Sequence, residues 1–455
     1  VVTDLKGYLE PCGCTSDPLG GIDRLAAQIR KLDEGDAPAL FLMAGDTFFD
    51  PAELEPVRVD QANRNAKTLA GILGDLGVDA VLPGPSDRAQ PTEALTALKE
   101  KAPFPWLAMT KDTENVTVDA GGLRVAILGV RPGAERDSVR LAVKEAGANS
   151  DLLIALVDGS RRDANRVGAI EGVDFVLHGG LDEDDPVPPR QAGRAWLFHA
   201  SRQGQGLTVV DAYRKKSGEP FVDRSEWSRA VRAGQLDEQI AELVAKIASW
   251  EQSADVDAAD IAAQRERLAG LQEERRALSE AKLQTKGNTL SAAFIPLRKK
   301  SPSDERVQKL MRAHDKVVND ANRTAFADLK PPALGPNDVA YVGSAACSAC
   351  HQPAYAWWRD HAHGDAYMTL QERNKEFNFD CVGCHVTGYE QPGGSTVTHN
   401  LDGALVNVGC ESCHGPGAAH AKDPEVGILR DTPESTCVQC HNAQHSDLFD
   451  YEGYR

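Results

Sequence analysis

Four copies of one pentapeptide pattern crowd the last quarter of the chain: CSACH (347–351), CVGCH (381–385), CESCH (410–414) and CVQCH (437–441). Two cysteines three residues apart, with a histidine directly after the second, form the attachment pattern of c-type haem. The thiols bond to the porphyrin edge and the adjacent histidine holds the iron from one face. Paired C-x-x-C motifs also build zinc ribbons. Zinc, however, takes four ligands from two pairs and gives no reason for a histidine after every second cysteine. Cys347, Cys350, Cys381, Cys384, Cys410, Cys413, Cys437 and Cys440 are therefore expected to tether four haems. His351, His385, His414 and His441 are the expected proximal ligands.

Iron held between two imidazoles needs a second histidine from elsewhere. Of twelve histidines, five non-motif ones fall in the same stretch, His361, His363, His399, His420 and His445, which read as a pool of distal ligands. His178, His199 and His314 lie outside it. The segments GSAACSACHQPAYAWWRDHAHGDAYMTL and CESCHGPGAAH resemble the tetrahaem cytochrome family that includes the electron carrier of the hydroxylamine pathway, over about residues 340–445. That resemblance implies His363 for the third haem, His399 for the first and His420 for the fourth. The second haem is then five-coordinate, or capped by His445 or His361.

The charge balance is acidic, 68 Asp and Glu against 50 Lys and Arg, and haem propionates add to it. Nucleic acid is excluded as a partner on that ground. A basic redox partner, steered by opposite charge, fits; other redox proteins are expected, either cytochromes or a membrane-associated electron-transfer complex. No apolar run approaches the eighteen or so residues of a membrane helix. Covalent haem attachment occurs outside the cytoplasm, so the expected location is periplasmic or extracellular. VVTDLKG reads as starting inside a strand, so the export segment is expected not to be part of this chain.

At 455 residues, two to three domains are expected. From 1 to about 225, the apolar runs ALFLMAG, DAVLPG, LRVAILGV, DLLIALVDG and VDFVLHGG alternate with helical patterns such as IDRLAAQIRKL and NAKTLAGILGDLG. Such alternation argues for an α/β layered domain. LRVAILGV and GLTVVDAY look like sheet-edge or hairpin strands, predicting a mixed sheet. Residues 226–283 carry leucine, isoleucine and alanine at three- and four-residue spacing, the pattern of an antiparallel helical hairpin broken at SADVDA; a spacer or packing arm is the simplest role for it. A further helix over 301–326 has Ser303 as its expected N-cap, with His314 as a surface residue. KPPALGPND links this 226–330 region to the haem module at 331–455.

Asp4, Asp46, Asp87 and Asp158 each follow an apolar strand, where the carboxyl ends of strands gather ligands. Four such acids would ordinarily make a metal site. DLKG, AGDTFF, GPSD, VDFVLHGGLD and SRQGQGLTVVD, in that order, resemble the calcineurin-like metallophosphoesterases of the 5′-nucleotidase branch, over about residues 1–212. That resemblance implies a two-metal hydrolase, but the matching positions have changed. Lys6 stands for the first histidine, Pro85 for the amide ligand, Ser86 for the acid that protonates the leaving group, and Asp158 for the next histidine. Gly180 and Asp182 replace the last histidine pair, and His178 is offset by two positions. Asp4 and Asp46 are retained. Loss of the acid and several ligands undermines hydrolysis by that route. The expected fold is thus an α/β layered metallophosphoesterase-like domain, a helical hairpin insert, and a mostly α/irregular multihaem cytochrome c domain.

Two cysteines remain, Cys12 and Cys14, in the loop after the first strand. They read as inert buried thiols or a strained disulfide; as a site for a further metal ion, copper or zinc, with Asp4, Asp46 or a nearby histidine; or as redox thiols favoured by Lys6. Three functions follow. One is an electron-transfer protein whose first domain docks partners. Another is an oxidoreductase acting on a small sulfur or inorganic species at Cys12 and Cys14. The last is an active metal-dependent phosphoesterase.

Overall fold

A computed structural model describes residues 1–455 apart from 12–15, 52, 182–185, 217, 254–255, 281–285, 400–402, 443–444, 447 and 455. The first sheet runs β1 (Val2–Thr3), β2 (Leu42–Gly45), β3 (Ala80–Pro83), all parallel. The helices α1 (Ile22–Asp33) and α2 (Val59–Asp75) make its crossovers. In α1, Ile22, Leu25, Ala26 and Ile29 recur at helical spacing and are its buried apolar residues. After β3 come the single turn α3 (Pro85–Arg88) and α4 (Thr92–Lys101).

The second sheet has six strands in the order β4-β5-β6-β7-β9-β8. They are β4 (Thr113–Ala120), β5 (Leu123–Val130), β6 (Leu152–Asp158), β7 (Phe175–Gly179), β8 (Arg190–Ala192) and β9 (Ala195–Phe198). Helices α5 (Arg136–Gly147) and α6 (Arg161–Gly168) connect β5 to β6 and β6 to β7. LRVAILGV is the hairpin partner of β4, as expected, but it is not an edge: it also pairs in parallel with β6. Its last six residues are buried, which suits an interior strand.

The two sheets pack face to face. Leu42, Ala44, Ala80 and Leu82 of the first meet Ile127, Leu156, Phe175 and Leu177 of the second in one apolar core. A second core lies beneath α1 and α2, and a third beneath α5 and α6. The domain is therefore layered helix, sheet, sheet, helix.

A small third sheet, β10 (Gly206–Tyr213), β12 (Asn288–Pro296) and β11 (Phe221–Asp223), closes the domain. Between β11 and β12 the chain leaves as α7 (Glu226–Glu251) and returns as α8 (Ala258–Glu280). Arg232–Glu274, Arg275–Asp237 and Arg265–Glu251 pairs zip these two helices together. Only Leu236, Leu243 and Ile247 of α7 are buried, and no described residue of α8 is. The arm therefore gains little from burial.

The next helix, α9 (Glu305–Ala325), packs against α1 and α2. Asp304, not Ser303, is its N-cap: its carboxylate accepts from the amides of Arg306 and Val307, and also pairs with Arg30. His314 is not a free surface residue. Its ring is held between Thr68 and Asn65 of α2, at 2.9 Å on each side.

The remaining chain is short helical turns joined by irregular segments, around a small core of Tyr367, Leu370, Phe379, Val382, Val386 and Val397. It sits on α2 and α9 through buried amides. Gln61 donates to Asn378 (2.9 Å) and Asp380 (2.8 Å), and its carbonyl accepts from Asn322 (2.7 Å) and the Phe379 amide (3.1 Å). Asn319 accepts from the Phe377 amide at 2.9 Å. Satisfied polar groups of this kind fix one docking geometry, since any shift leaves them unpaired.

Candidate functional site

Each C-x-x-C-H motif folds as about one helical turn. In the first and fourth, the histidine amide bonds back to the first cysteine carbonyl, at 2.9 and 2.8 Å. The third lies in the helix Cys410–His414, and the second in the 3₁₀ turn Val382–Cys384. Positions i, i+3 and i+4 of a turn share one face. That spacing brings both thiols and the imidazole of a motif to the same side. All eight motif cysteines are free of disulfide bonds.

The histidine rings are prepared as ligands. A backbone carbonyl can only accept, so a ring nitrogen facing one must carry the proton, leaving the other nitrogen's lone pair free. Nδ1 of His385 donates to Ala366 (2.6 Å), that of His414 to Leu429 (2.7 Å) and that of His420 to Val426 (2.9 Å). Each Nε2 is thereby left to bind metal, the arrangement metal-bound histidines use. His441 Nδ1 lies 3.1 Å from Ser446 Oγ.

Two imidazole pairs face each other at a distinctive separation. The rings of His351 and His420 are 6.3 Å apart, and those of His363 and His441 are 5.9 Å apart. Two imidazoles ligating one iron from opposite faces have ring centres about 6 Å apart. This placement differs from the pairing implied by resemblance: His420 faces the first motif rather than the fourth, and His363 faces the fourth rather than the third. His399 and His445 are half-buried in loops, and His361 is exposed, its ring stacked on Trp357 at 3.9 Å.

The surroundings fit a bound porphyrin. Trp357, Met368, Val426, Leu429, Val438 and Leu448 are all exposed apolar side chains close to the motifs in sequence. With so small a protein core, the module needs a further apolar body to cover them. Sulfur atoms of different motifs also approach one another. Cys347 neighbours Cys410, Cys413 neighbours Cys437, and Cys384 is within hydrogen-bonding reach of Cys440.

Two structural residues here escaped the sequence reading. Glu411, inside the third motif, is buried and accepts from the amides of Val342, Gly343 and Gly417, clamping the approach to the first motif onto the third. Lys375, also buried, pairs with Glu10 and with Asp315 (3.7 Å), tying the haem module to the N-terminal domain. An acid within C-x-x-C and an isolated lysine give no periodic signal.

At the strand ends of the N-terminal domain, the four acids do gather, but internal donors occupy them. Asp4 accepts from the amides of Gly180 (3.0 Å) and Asp46 (3.2 Å). Asp46 accepts from the amide (2.8 Å) and hydroxyl (2.7 Å) of Ser86. Asp87 accepts from the amides of Thr47, Phe48 and Phe49. Asp158 pairs with Arg88 at 3.2 Å, their side chains 1% and 11% exposed. Arg88, which the sequence reading passed over, also donates to the Pro83 carbonyl. A Cβ at Gly45 would lie 2.1 Å from Asp4 Oδ1, and one at Gly84 2.2 Å from Asp46 Oδ1, so the acids are closely packed. Lys6 turns to Asp50 (3.6 Å). His178 Nε2 donates to the Gly159 carbonyl at 2.9 Å. Among the described residues, no group of three or more His, Cys, Asp or Glu is arranged to hold a metal ion. Cys12, Cys14 and Asp182 lie outside the described residues.

Burial first, then the charges of Asp158 and Asp46, pushes the Asp4 carboxyl up to about 8. Folded Asp4 therefore keeps a proton that the unfolded chain releases near pH 4. The domain should lose stability as pH rises from about 4 to about 8, at most about 1.4 kcal/mol per pH unit from this group. Asp4→Asn keeps an acceptor for Gly180 and should remove that slope from the pH dependence of the urea midpoint. Equal slopes in both proteins would mean that Asp4 is ionised throughout.

Comparison with known proteins bears on both regions. The family described as cytochrome c554 and c-prime matches residues 346–415. Cytochrome c-554 of Nitrosomonas europaea is 38% identical over 95 residues, 18% of this chain and 40% of that protein, so the chain spans less than half of that relative. Among solved structures, the Thermus thermophilus sulfate thiohydrolase SoxB in complex with glycerol is similar at a TM-score of 0.42 and 15% identity, over 70% of this chain and 49% of that one. A 5′-nucleotidase of Candida albicans is similar at 0.40 and 9% identity, over 70% and 56%. The C-terminal match is to a cytochrome c family and implies covalently bound c-type haem.

Proposed function

We propose that the chain is an extracytoplasmic electron carrier holding four c-type haems, one at each C-x-x-C-H turn. The facing of His351 with His420, and of His363 with His441, at iron-bridging separation carries this reading. Bound haem supplies one-electron ferric–ferrous cycling. The protein's part is to fix the irons, close their coordination and set their order. The sulfur neighbours link motif one to three, three to four and four to two, a continuous file for electrons. One end is exposed at Cys350 and Trp357; the other lies against the N-terminal domain beside Lys375. A net charge of −18 suits a basic redox partner at the exposed end. The N-terminal domain serves as the docking platform. Phosphoester hydrolysis is disfavoured, because Asp4, Asp46, Asp87 and Asp158 are committed to internal donors.

A second reading places redox or metal chemistry at Cys12 and Cys14. Glu10 pairs with Lys375, which lies beside Cys381, so the start of that loop is anchored beside the second motif. Anaerobic reductive titration tests the main reading: four electrons per chain are expected, and fewer contradict it. Cys12→Ser separates the two readings. Partner docking and the four-electron count survive it if the domain only docks, whereas substrate-driven haem reduction is lost if the thiols react.

A further inference from the structure

A buried charge cluster lies where three segments meet: the loop after β1, α9, and the turn leading into the second motif. Lys375 Nζ faces Glu10 and Asp315, with the Lys375 and Asp315 side chains 8% and 13% exposed. The chain continues from Lys375 through two tight turns, Asn378 N to Lys375 O (3.0 Å) and Cys381 N to Asn378 O (3.1 Å). The lysine is thereby placed beside Cys381. Lys375 thus faces two carboxylates at the base of the second haem's attachment, with Arg373 also acting on Asp315.

Adding an electron to a haem at this position adds negative charge beside two buried or half-buried carboxylates, and a proton is the natural counter-charge. The neighbouring groups narrow down where it goes. Lys375 is already protonated, its carboxylate neighbours holding the ammonium form above its usual range despite burial. His314 is kept neutral: burial, with Lys375 and Arg64 nearby, lowers it to about 4, and Asn65 and Thr68 occupy both ring nitrogens. Asp315 faces Lys375, Glu10 and Arg373; burial raises its carboxyl to about 6, with Lys375 opposing. It is poised to change protonation near neutral pH.

We propose that Asp315 is the proton acceptor linked to reduction of the haem tethered at Cys381 and Cys384. As ferric iron takes one electron from the redox partner, the Asp315 carboxylate takes one proton from water and becomes the neutral acid. Oxidation reverses both transfers. The N-terminal domain then supplies a proton site to the electron path as well as a platform, since Asp315 belongs to α9. This inference rests on the tetrahaem reading but fails separately from it. An empty second motif defeats that reading, whereas a filled second motif with a pH-independent potential defeats only this one.

The test is spectroelectrochemical titration of the haem-loaded full-length protein at a series of pH values. In the wild type, one haem potential should be flat below about pH 6 and fall as pH rises above it, because only the reduced form then keeps the Asp315 proton. Asp315→Asn should abolish that fall and hold the potential at its acid-side level, and Asp315→Glu should restore the fall. Should the Asn variant not fold, proton uptake on reducing the wild type in unbuffered solution near pH 7 reads the same event, and absence of uptake overturns the proposal. A pH dependence unchanged in Asp315→Asn assigns the proton to other groups, such as the haem propionates, and also overturns it.

Discussion

Replacing Arg88 by alanine should destabilise the N-terminal domain by about 3–5 kcal/mol, the usual cost of stranding one partner of a buried ion pair. Asp158 is 1% exposed, pairs with no other cation among the described residues, and its second oxygen, Oδ1, already lacks a hydrogen-bond donor there. The arginine does what bound cations do in a cluster of acids, neutralising charge at the ends of β3 and β6. Burial drives the Asp158 carboxyl up to about 6, against the pull of Arg88; without that pull, it should protonate rather than stay charged. The loss should accordingly be larger at pH 8 than at pH 5. Replacing the pair together, Arg88→Met with Asp158→Leu, should recover most of the stability, because no uncompensated charge remains. A loss below about 1 kcal/mol for Arg88→Ala, the size typical of an exposed pair, would mean that water reaches this site.

The second large effect is spectroscopic. His420→Ala should open one coordination position on the first haem iron, and His363→Ala should do the same on the fourth. Each variant should show a new high-spin signature and bind carbon monoxide when reduced. His399→Ala should leave the first haem closed, because the ring facing His351 belongs to His420. If His399→Ala opened the first haem and His420→Ala did not, His399 rather than His420 would be its ligand, as the resemblance implies.

The fold was legible where burial enforces a period. The apolar runs of β2, β3, β6 and β7 are buried on both faces by neighbouring layers, so they appear in the sequence as unbroken apolar strings. The helical arm was legible for a different reason: long charged helices need little tertiary context to declare themselves. β12 was not, since it pairs with strands about 70 to 90 residues upstream and its own pattern is weak. Ser303 and Asp304 are both good caps, and only the Arg30 contact and the amide geometry choose between them.

In the functional regions, residue type could be read but partnership could not. The motifs declare which histidines sit beside thiols, because that relation is local. Which distal histidine faces which motif depends on how short turns fold over one another, and spacing alone does not encode it. Arg88 and Lys375 were missed for the same reason. Each is an ordinary basic residue in sequence, and each acquires its role from acids far away in the chain, Asp158 in one case and Glu10 and Asp315 in the other.

The most direct measurement is the mass of the exported protein under denaturing conditions, read beside its haemochrome spectrum in alkaline pyridine. Four haem increments that survive unfolding, with Cys381→Ala and Cys384→Ala together removing one of them, are the predicted result. A colourless chain carrying its eight motif cysteines as free thiols would contradict the account at its root.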